Sequence, residues 1–279
     1  MKLVYMMITA LTLSLGAAAQ ETTETKGTSD TTRKKTGKTI SISSDGITVT
    51  SFPDSIKKKE DKDFKFRFAI LELGINYLQD NTDYSSAAAQ DFLNVDPEMR
   101  NENLFSLREG KSINVNIYPV MGSYRFVNTR RQKMYISSGI GLQIYNFRFN
   151  KPISYINETR PMVVTDTVSF SKNKLAVTYL SIPLSVTCKT KLAKDTWLVY
   201  GVGITGGYRL SSWTKQVSDE RGKQKNRDPF NLNNFNSCVT GELGIDGVIR
   251  LYASYQLTAL HKDALDQHPY AIGIRFGGI

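Results

Sequence analysis

From Phe64 onward the chain alternates apolar and polar positions in one segment after another. Eight such segments stand out: Phe64–Leu78 (FKFRFAILELGINYL), Lys111–Phe126, Lys133–Phe149, Leu175–Cys188, Thr196–Leu210, Phe235–Ile245, Val248–Leu260 and Pro269–Phe276. A period of two marks strands with one apolar and one polar face. Many of the segments exceed ten residues, whereas strands of soluble domains run to about five or six and a tilted strand crossing a bilayer needs about nine to eleven. The connections alternate too, at about thirty, six, twenty-five, seven, twenty-four, two and eight residues. An up-and-down barrel in an outer membrane has short turns on one rim and long loops on the other, and a soluble sandwich has no reason to sort its loops this way.

Face assignment sharpens the expectation. In the third segment Met134, Ile136, Ile140, Leu142 and Ile144 oppose Ser137, Gly139, Gly141, Gln143 and Tyr145; in the seventh Ile249, Leu251, Ala253, Tyr255 and Leu257 oppose Arg250, Tyr252, Ser254, Gln256 and Thr258. Alternation alone fits a soluble barrel with an aliphatic interior equally well. Gly139, Gly141, Gly201, Gly203, Gly207 and Gly273 fall on the polar side, and small residues suit the crowded inside of a narrow barrel. The expected fold is all-β, a closed antiparallel up-and-down eight-stranded transmembrane β-barrel over residues 64–279, with the aliphatic face toward lipid.

An apolar fraction of 40% is ordinary and decides little. The first residues decide more: Lys2, the apolar run LVYMMITALTLSLG and the small residues AAAQ read as a signal peptide over 1–19, cut after Ala19. The run is shorter than the ~20 residues of a spanning helix. Residues 20–63, rich in Thr, Ser, Lys and Asp, read as a flexible periplasmic N-terminal segment, within which Thr39–Ser51 alternates around Asp45-Gly46 as a hairpin or an addition to a sheet. The formal charge of +10 is scattered or confined to TRKKTGK and KKKEDKD. It points to anionic headgroups and lipopolysaccharide rather than nucleic acid. Cys188 and Cys238, the only two cysteines, fall two strands apart at opposite rims, too far for a bridge.

Strand parity puts four charged residues in the lumen. Glu72 on the first strand and Arg275 on the last become neighbours on closure, and Glu242 faces Arg250 if Leu243 pairs with Ile249 around the turn Ile245-Asp246-Gly247. Eight strands leave an interior that side chains fill, so these read as structural ion pairs in a plugged lumen without an open pore. Recognition belongs to the long loops. The first carries Tyr84, Phe92, Leu93 and Phe105, with a short helix in SSAAAQDFLNV; the third carries Trp213, Arg221, Lys223, Lys225, Arg227 and Phe230, a basic patch with aromatic edges for an anionic ligand or partner. His261 and His268, in or beside the last loop with Asp263 and Asp266 between them, read as a solvated loop, since their spacing matches no metal-ligand pattern and no serine is seen to join them as a catalytic group. No catalytic residue, cofactor or metal is expected.

The segments YLSIPLSV (Tyr179–Val186), GELGIDGVIRLYASYQLTAL (Gly241–Leu260) and YAIGIRF (Tyr270–Phe276) resemble the outer-membrane β-barrel proteins of Bacteroidota, the PorT-like group. The resemblance covers about 64–279 and speaks to architecture more than activity. It implies an outer-membrane address and an accessory role in a secretion or assembly complex. The reading is a non-enzymatic structural or interaction barrel, expected as a monomer, with outer-membrane lipid and other envelope proteins as partners. A lipid-modifying barrel enzyme and a soluble periplasmic binding barrel are the rivals.

Overall fold

The computed structural model describes residues 37–43, 46–52, 63–157 and 160–277. The signal peptide, its cut after Ala19 and most of the segment 20–63 lie outside them. Within that segment β1 (Gly37–Ser43) and β2 (Gly46–Phe52) lie side by side, and β2 meets the first long strand at Ile47 opposite Phe68. The alternating stretch around Asp45-Gly46 thus adds to another sheet.

The remaining strands are β3 (Phe64–Asp80), β4 (Leu93–Asn94), β5 (Ile113–Asn128), β6 (Gln132–Arg148), β7 (Ile153–Asn157), β8 (Pro161–Thr165), β9 (Lys172–Lys191), β10 (Trp197–Ser218), β11 (Gly222–Asn226), β12 (Phe235–Ile245), β13 (Ile249–Gln256) and β14 (Gln267–Phe276). Eight of them form an antiparallel ring in the order β3-β14-β13-β12-β10-β9-β6-β5, and β5 pairs back onto β3. These are the eight segments whose alternation is visible in the sequence. Each is long and amphipathic by period two, so the strands lie side by side with every apolar row on one face.

Closure is staggered. The row that starts at Tyr77 runs through Tyr270, Tyr255, Val239, Ile204, Leu184, Ser138 and Gly122 and comes back to β3 at Phe66, near its other end. Strands of a closed ring must tilt to allow such a shear, and the tilt fixes how wide the interior is.

Sidedness follows the glycine argument. Ile140 and Leu251 are 58% and 50% exposed, while Arg250 is 4% exposed and Gly141 is buried. Close approach explains two of the inward glycines. A Cβ on Gly141 would lie 2.3 Å from the Tyr118 ring, and one on Gly273 would lie 2.1 Å from the Leu73 carbonyl oxygen.

Register shifts interrupt strict alternation at Arg209–Ser211 on β10, at Arg125–Val127 on β5 and, on two strands at once, near Pro119. Ala69 on β3 and Pro119 on β5 fall between the paired positions Phe68–Val120 and Ile70–Tyr118, and the pairing of β5 with β6 shifts there too. Both strands change parity together: Phe64 and Phe66 face outward below the irregularity, whereas Leu73 and Ile75 do so above it. Pro119 donates no hydrogen bond, which suits a bulge. Ala69 pays for it with φ of 59°, a left-handed conformation that costs an L-residue about 1–2 kcal/mol. Ala69→Gly is therefore expected to raise stability by about 0.5–1 kcal/mol after the extra entropy glycine loses on folding, measurable as a higher urea midpoint.

Short turns sit on one rim. The turn between β12 and β13 is Asp246-Gly247-Val248 with Gly247 at φ 72°, because Ile245 pairs with Ile249 and Leu243 with Leu251. This corrects the expected register by two residues, so that every face is kept. Glu242 stands opposite Tyr252, and Arg250 opposite Gly244.

On the other rim the long connections fold. Ser86 caps helix α1 (Ala87–Phe92) by accepting the Ala89 N–H, and β4, β8 and β7 form a small second sheet. Phe92, Leu93, Leu104, Phe105, Val163, Phe230, Leu232, Leu260 and Leu265 from these loops pack on Tyr145, Phe147, Leu175, Val177 and Tyr179, which point inward from the upper ring. The loops thus build an apolar cap over this end of the lumen. Phe92, Leu93 and Phe105 of the first loop are core residues of that cap and not exposed recognition residues.

Candidate functional site

Three features of the ring bear on function: its outer face, its lumen and its capped rim. The outer face carries an aliphatic belt that includes Leu73, Ile140, Ile182, Ile204, Val239 and Ile272. Aromatic residues bound the belt on both sides. Toward the short turns lie Phe64, Phe66, Tyr124, Phe126, Tyr200 and Phe276, all exposed. Toward the cap lie Tyr77 stacked on Tyr270 with centroids 5.0 Å apart, Tyr208 against Phe235 at 5.2 Å, and Tyr255. Sequence reading registers these residues only as members of the apolar face. Their sorting into two rings depends on the stagger of the strands.

Charge in the lumen is concentrated toward the short-turn rim. Arg275 Nη1 lies 3.2 Å from Glu242 Oε2 and 3.5 Å from Glu72 Oε1, all three side chains nearly buried. Asn116 donates to Glu72 at 2.8 Å, and the Thr187 hydroxyl donates to Glu242 at 2.6 Å. Register explains the arrangement, since Arg275 is opposite Glu72 on β3 and Arg250 on β13.

Arg250 does not meet Glu242 directly. It pairs with Asp246 at 2.6 Å, and Lys189 reaches the other oxygen of the same carboxylate at 2.5 Å. Asp246 was legible only as a turn residue, and its turn places its carboxylate between two cations. The expected Glu242–Arg250 couple is thus replaced by a Glu72–Arg275–Glu242 cluster and an Arg250–Asp246–Lys189 cluster. Buried charges with partners and further hydrogen bonds fix a single packing.

Higher up, the lumen is neutral and polar. Asn236 donates to Gln143 at 3.1 Å, and Cys238 Sγ lies 3.6 Å from the Tyr145 hydroxyl. Both cysteines are free thiols, Cys238 buried inside and Cys188 on the outward side of β9.

The capped rim holds the two histidines apart. His261 is fully buried, stacked on Tyr155 with its Nε2 3.3 Å from the Tyr155 hydroxyl, and flanked by Phe92 and Phe105. Burial pushes its imidazole down to about 3, with the Gln267 side chain opposing. His268 instead faces outward, stacked on Tyr255, with Nε2 2.8 Å from Asp266. The solvated loop expected around His261 is corrected by its place in the cap core.

Among the described residues no three histidine, cysteine or acidic side chains converge as metal ligands. A cleft of about 500 Å³ against Glu98, Asn101, Asn103 and Lys151 and one of about 160 Å³ against Asp80, Glu102 and Glu109 both lie on the first loop, without a histidine in either lining.

The expected loop patch is only partly assembled. Trp213 lies between Lys174 and Lys225, 4.3 and 4.4 Å from its ring centroid. Lys223, Lys225 and Arg227 are exposed, whereas Arg221 is tied to Asp166 at 2.7 Å. Phe230 leaves the patch altogether: it is 1% exposed, at φ 49°, in the core of the cap.

No family model matches the chain, and no curated protein matches it. Among solved structures it is similar to Ail, the attachment invasion locus protein of Yersinia pestis, at 9% identity, over 77% of this chain and 99% of that one, with a TM-score of 0.27. So distant a likeness carries no weight here. The ring rests on the pairing of this chain's own strands.

Proposed function

We propose that this chain is a bacterial outer-membrane β-barrel that acts without catalysis, as a structural or interaction protein. Its eight strands span the bilayer, the long-loop rim faces outward and the N-terminal segment is periplasmic. The cap and the filled lumen leave no open pore. One observation carries the reading: an exposed aliphatic belt closed off on both sides by outward aromatics, the arrangement by which a barrel fits hydrocarbon between two interfaces. A ring folded in water would leave that surface unpaid. The PorT-like resemblance supports the same address.

Ile204 supplies the test. It is 59% exposed in the middle of the belt, where lysine in a bilayer costs at least about 2 kcal/mol and in water costs almost nothing. The protein refolded into phospholipid vesicles is expected to migrate differently on a gel before and after boiling. Ile204→Lys should lower its urea midpoint accordingly. Equal stability of the two proteins, or folding without lipid or detergent, would refute the membrane reading.

A further inference from the structure

Strand register assembles a row of cations that no stretch of sequence contains. On the outward face beyond the upper tyrosines, Arg148 on β6 stands opposite Lys174 on β9, Lys174 opposite Lys215 on β10, and Lys215 opposite Lys225 on β11. One step further along, Lys172 and Lys223 flank Val217. Like charges directly opposite one another in a sheet destabilise it. None of the six forms an ion pair with a carboxylate among the described residues. Arg148 donates to the Ser171 carbonyl at 2.9 Å and Lys174 to the Asn146 side chain at 2.7 Å, which holds both in place without neutralising either. Trp213 fixes the flank by lying between Lys174 and Lys225.

The height of this row is informative. Trp213 is five residues beyond the exposed Tyr208 on β10, which on a tilted strand is roughly 10 Å past the upper aromatic ring. Below it on β9 and β10 the outward surface turns apolar, at Leu210, Tyr208, Leu180 and Ile182. Cations set above hydrocarbon-facing surface match an amphiphile, with anionic groups at the row and chains along the belt. With strands about 4.8 Å apart, four cations span roughly 14 Å, enough for two phosphates.

We propose that this face is a lipid site: the phosphates of a bisphosphorylated glycolipid in the leaflet at the long-loop rim seat on Arg148, Lys174, Lys215 and Lys225, and its acyl chains lie on Leu180, Ile182 and Tyr208. The proposal rests on the membrane reading. It replaces the loop patch by a wall of the ring, since Arg221 is already paired and Phe230 is buried. Bound phosphate removes the mutual repulsion of the row, so the lipid stabilises the strands it touches.

The test uses the full chain in bilayers of neutral phosphatidylcholine, alone or with lipid A, with dephosphorylated lipid A, or with inorganic phosphate in solution. The variant is Lys174→Gln with Lys215→Gln and Lys225→Gln. Lipid A is expected to raise the thermal midpoint of the wild type, and the variant to bind it at least about tenfold more weakly. In neutral bilayers the order reverses, and the variant is the more stable because the repulsion is gone. Inorganic phosphate and dephosphorylated lipid A should leave the wild type unshifted. Equal binding of lipid A by the two proteins, or an equal shift with the dephosphorylated lipid, overturns the site while the membrane reading stands. A shift with inorganic phosphate alone overturns the lipid as its occupant. Failure to show the heat-dependent gel shift in any bilayer overturns the membrane reading and the site together.

Discussion

Arg275→Met is expected to lower stability by about 3–5 kcal/mol, the cost of leaving buried charge without its partner. The guanidinium lies between Glu242 at 3.2 Å and Glu72 at 3.5 Å and is the cation that pairs with both carboxylates among the described residues. Asn116 and Thr187 each give one hydrogen bond, which offsets only part of two desolvated charges. The same physics predicts a rescue. Adding Glu72→Gln and Glu242→Gln to Arg275→Met removes both orphaned charges and keeps the volume, so the triple variant should recover most of the loss. Urea unfolding of the lipid-refolded proteins, followed by tryptophan fluorescence, measures each step. A single Arg275→Met variant within about 1 kcal/mol of the wild type would mean that the three groups do not act as a charged unit.

The parts of the ring legible in the sequence are those governed by period two. Ile140, Leu142 and Ile144 against Gly141, Gln143 and Tyr145 gave both the strand and its sidedness, because a long alternating run admits only two orientations and glycine distinguishes them. The rest depends on position along the strand. A slip of two residues at Asp246-Gly247-Val248 leaves every face unchanged yet moves Glu242 from Arg250 to Tyr252. Parity carried from Ile70 back to Phe64 puts three phenylalanines in the lumen, and the irregularity at Ala69 and Pro119 turns them out. Phe92, Leu93, Phe105 and Phe230 read as exposed loop aromatics, since loops carry no periodicity to show that they pack on one another. The cationic row was invisible for the same reason: Arg148, Lys174, Lys215 and Lys225 come from four strands and meet only through register.

Acidification is expected to open the cap while leaving the ring intact. His261 is enclosed by Tyr155, Phe92 and Phe105, and no carboxylate among the described residues pairs with it. Burial holds its imidazole at about 3, and once the cap opens, water returns it to about 6.5. A histidine whose closed-state value lies below its open-state value leaves the closed form at full strength above about pH 6.5. Below that the open form binds the proton and the closed form does not, so each pH unit down to about 3 favours opening by about 1.4 kcal/mol. At about pH 4.5 the cap loses nearly 3 kcal/mol. The Arg221–Asp166 pair on the same rim acts at lower pH, because Asp166, though raised by partial burial, is held below the usual carboxylate range by the Val168 N–H and Arg221. Hydrogen exchange, corrected for its intrinsic pH dependence, should therefore quicken between about pH 7 and 4.5 in β7, β8 and the segment around Leu260–Leu265, with β9 and β13 still protected. His261→Phe keeps an aromatic ring against Tyr155 and has nothing to protonate, so its cap should respond only weakly over the same interval. Equal loosening in the wild type and in His261→Phe would show that some other group controls the cap.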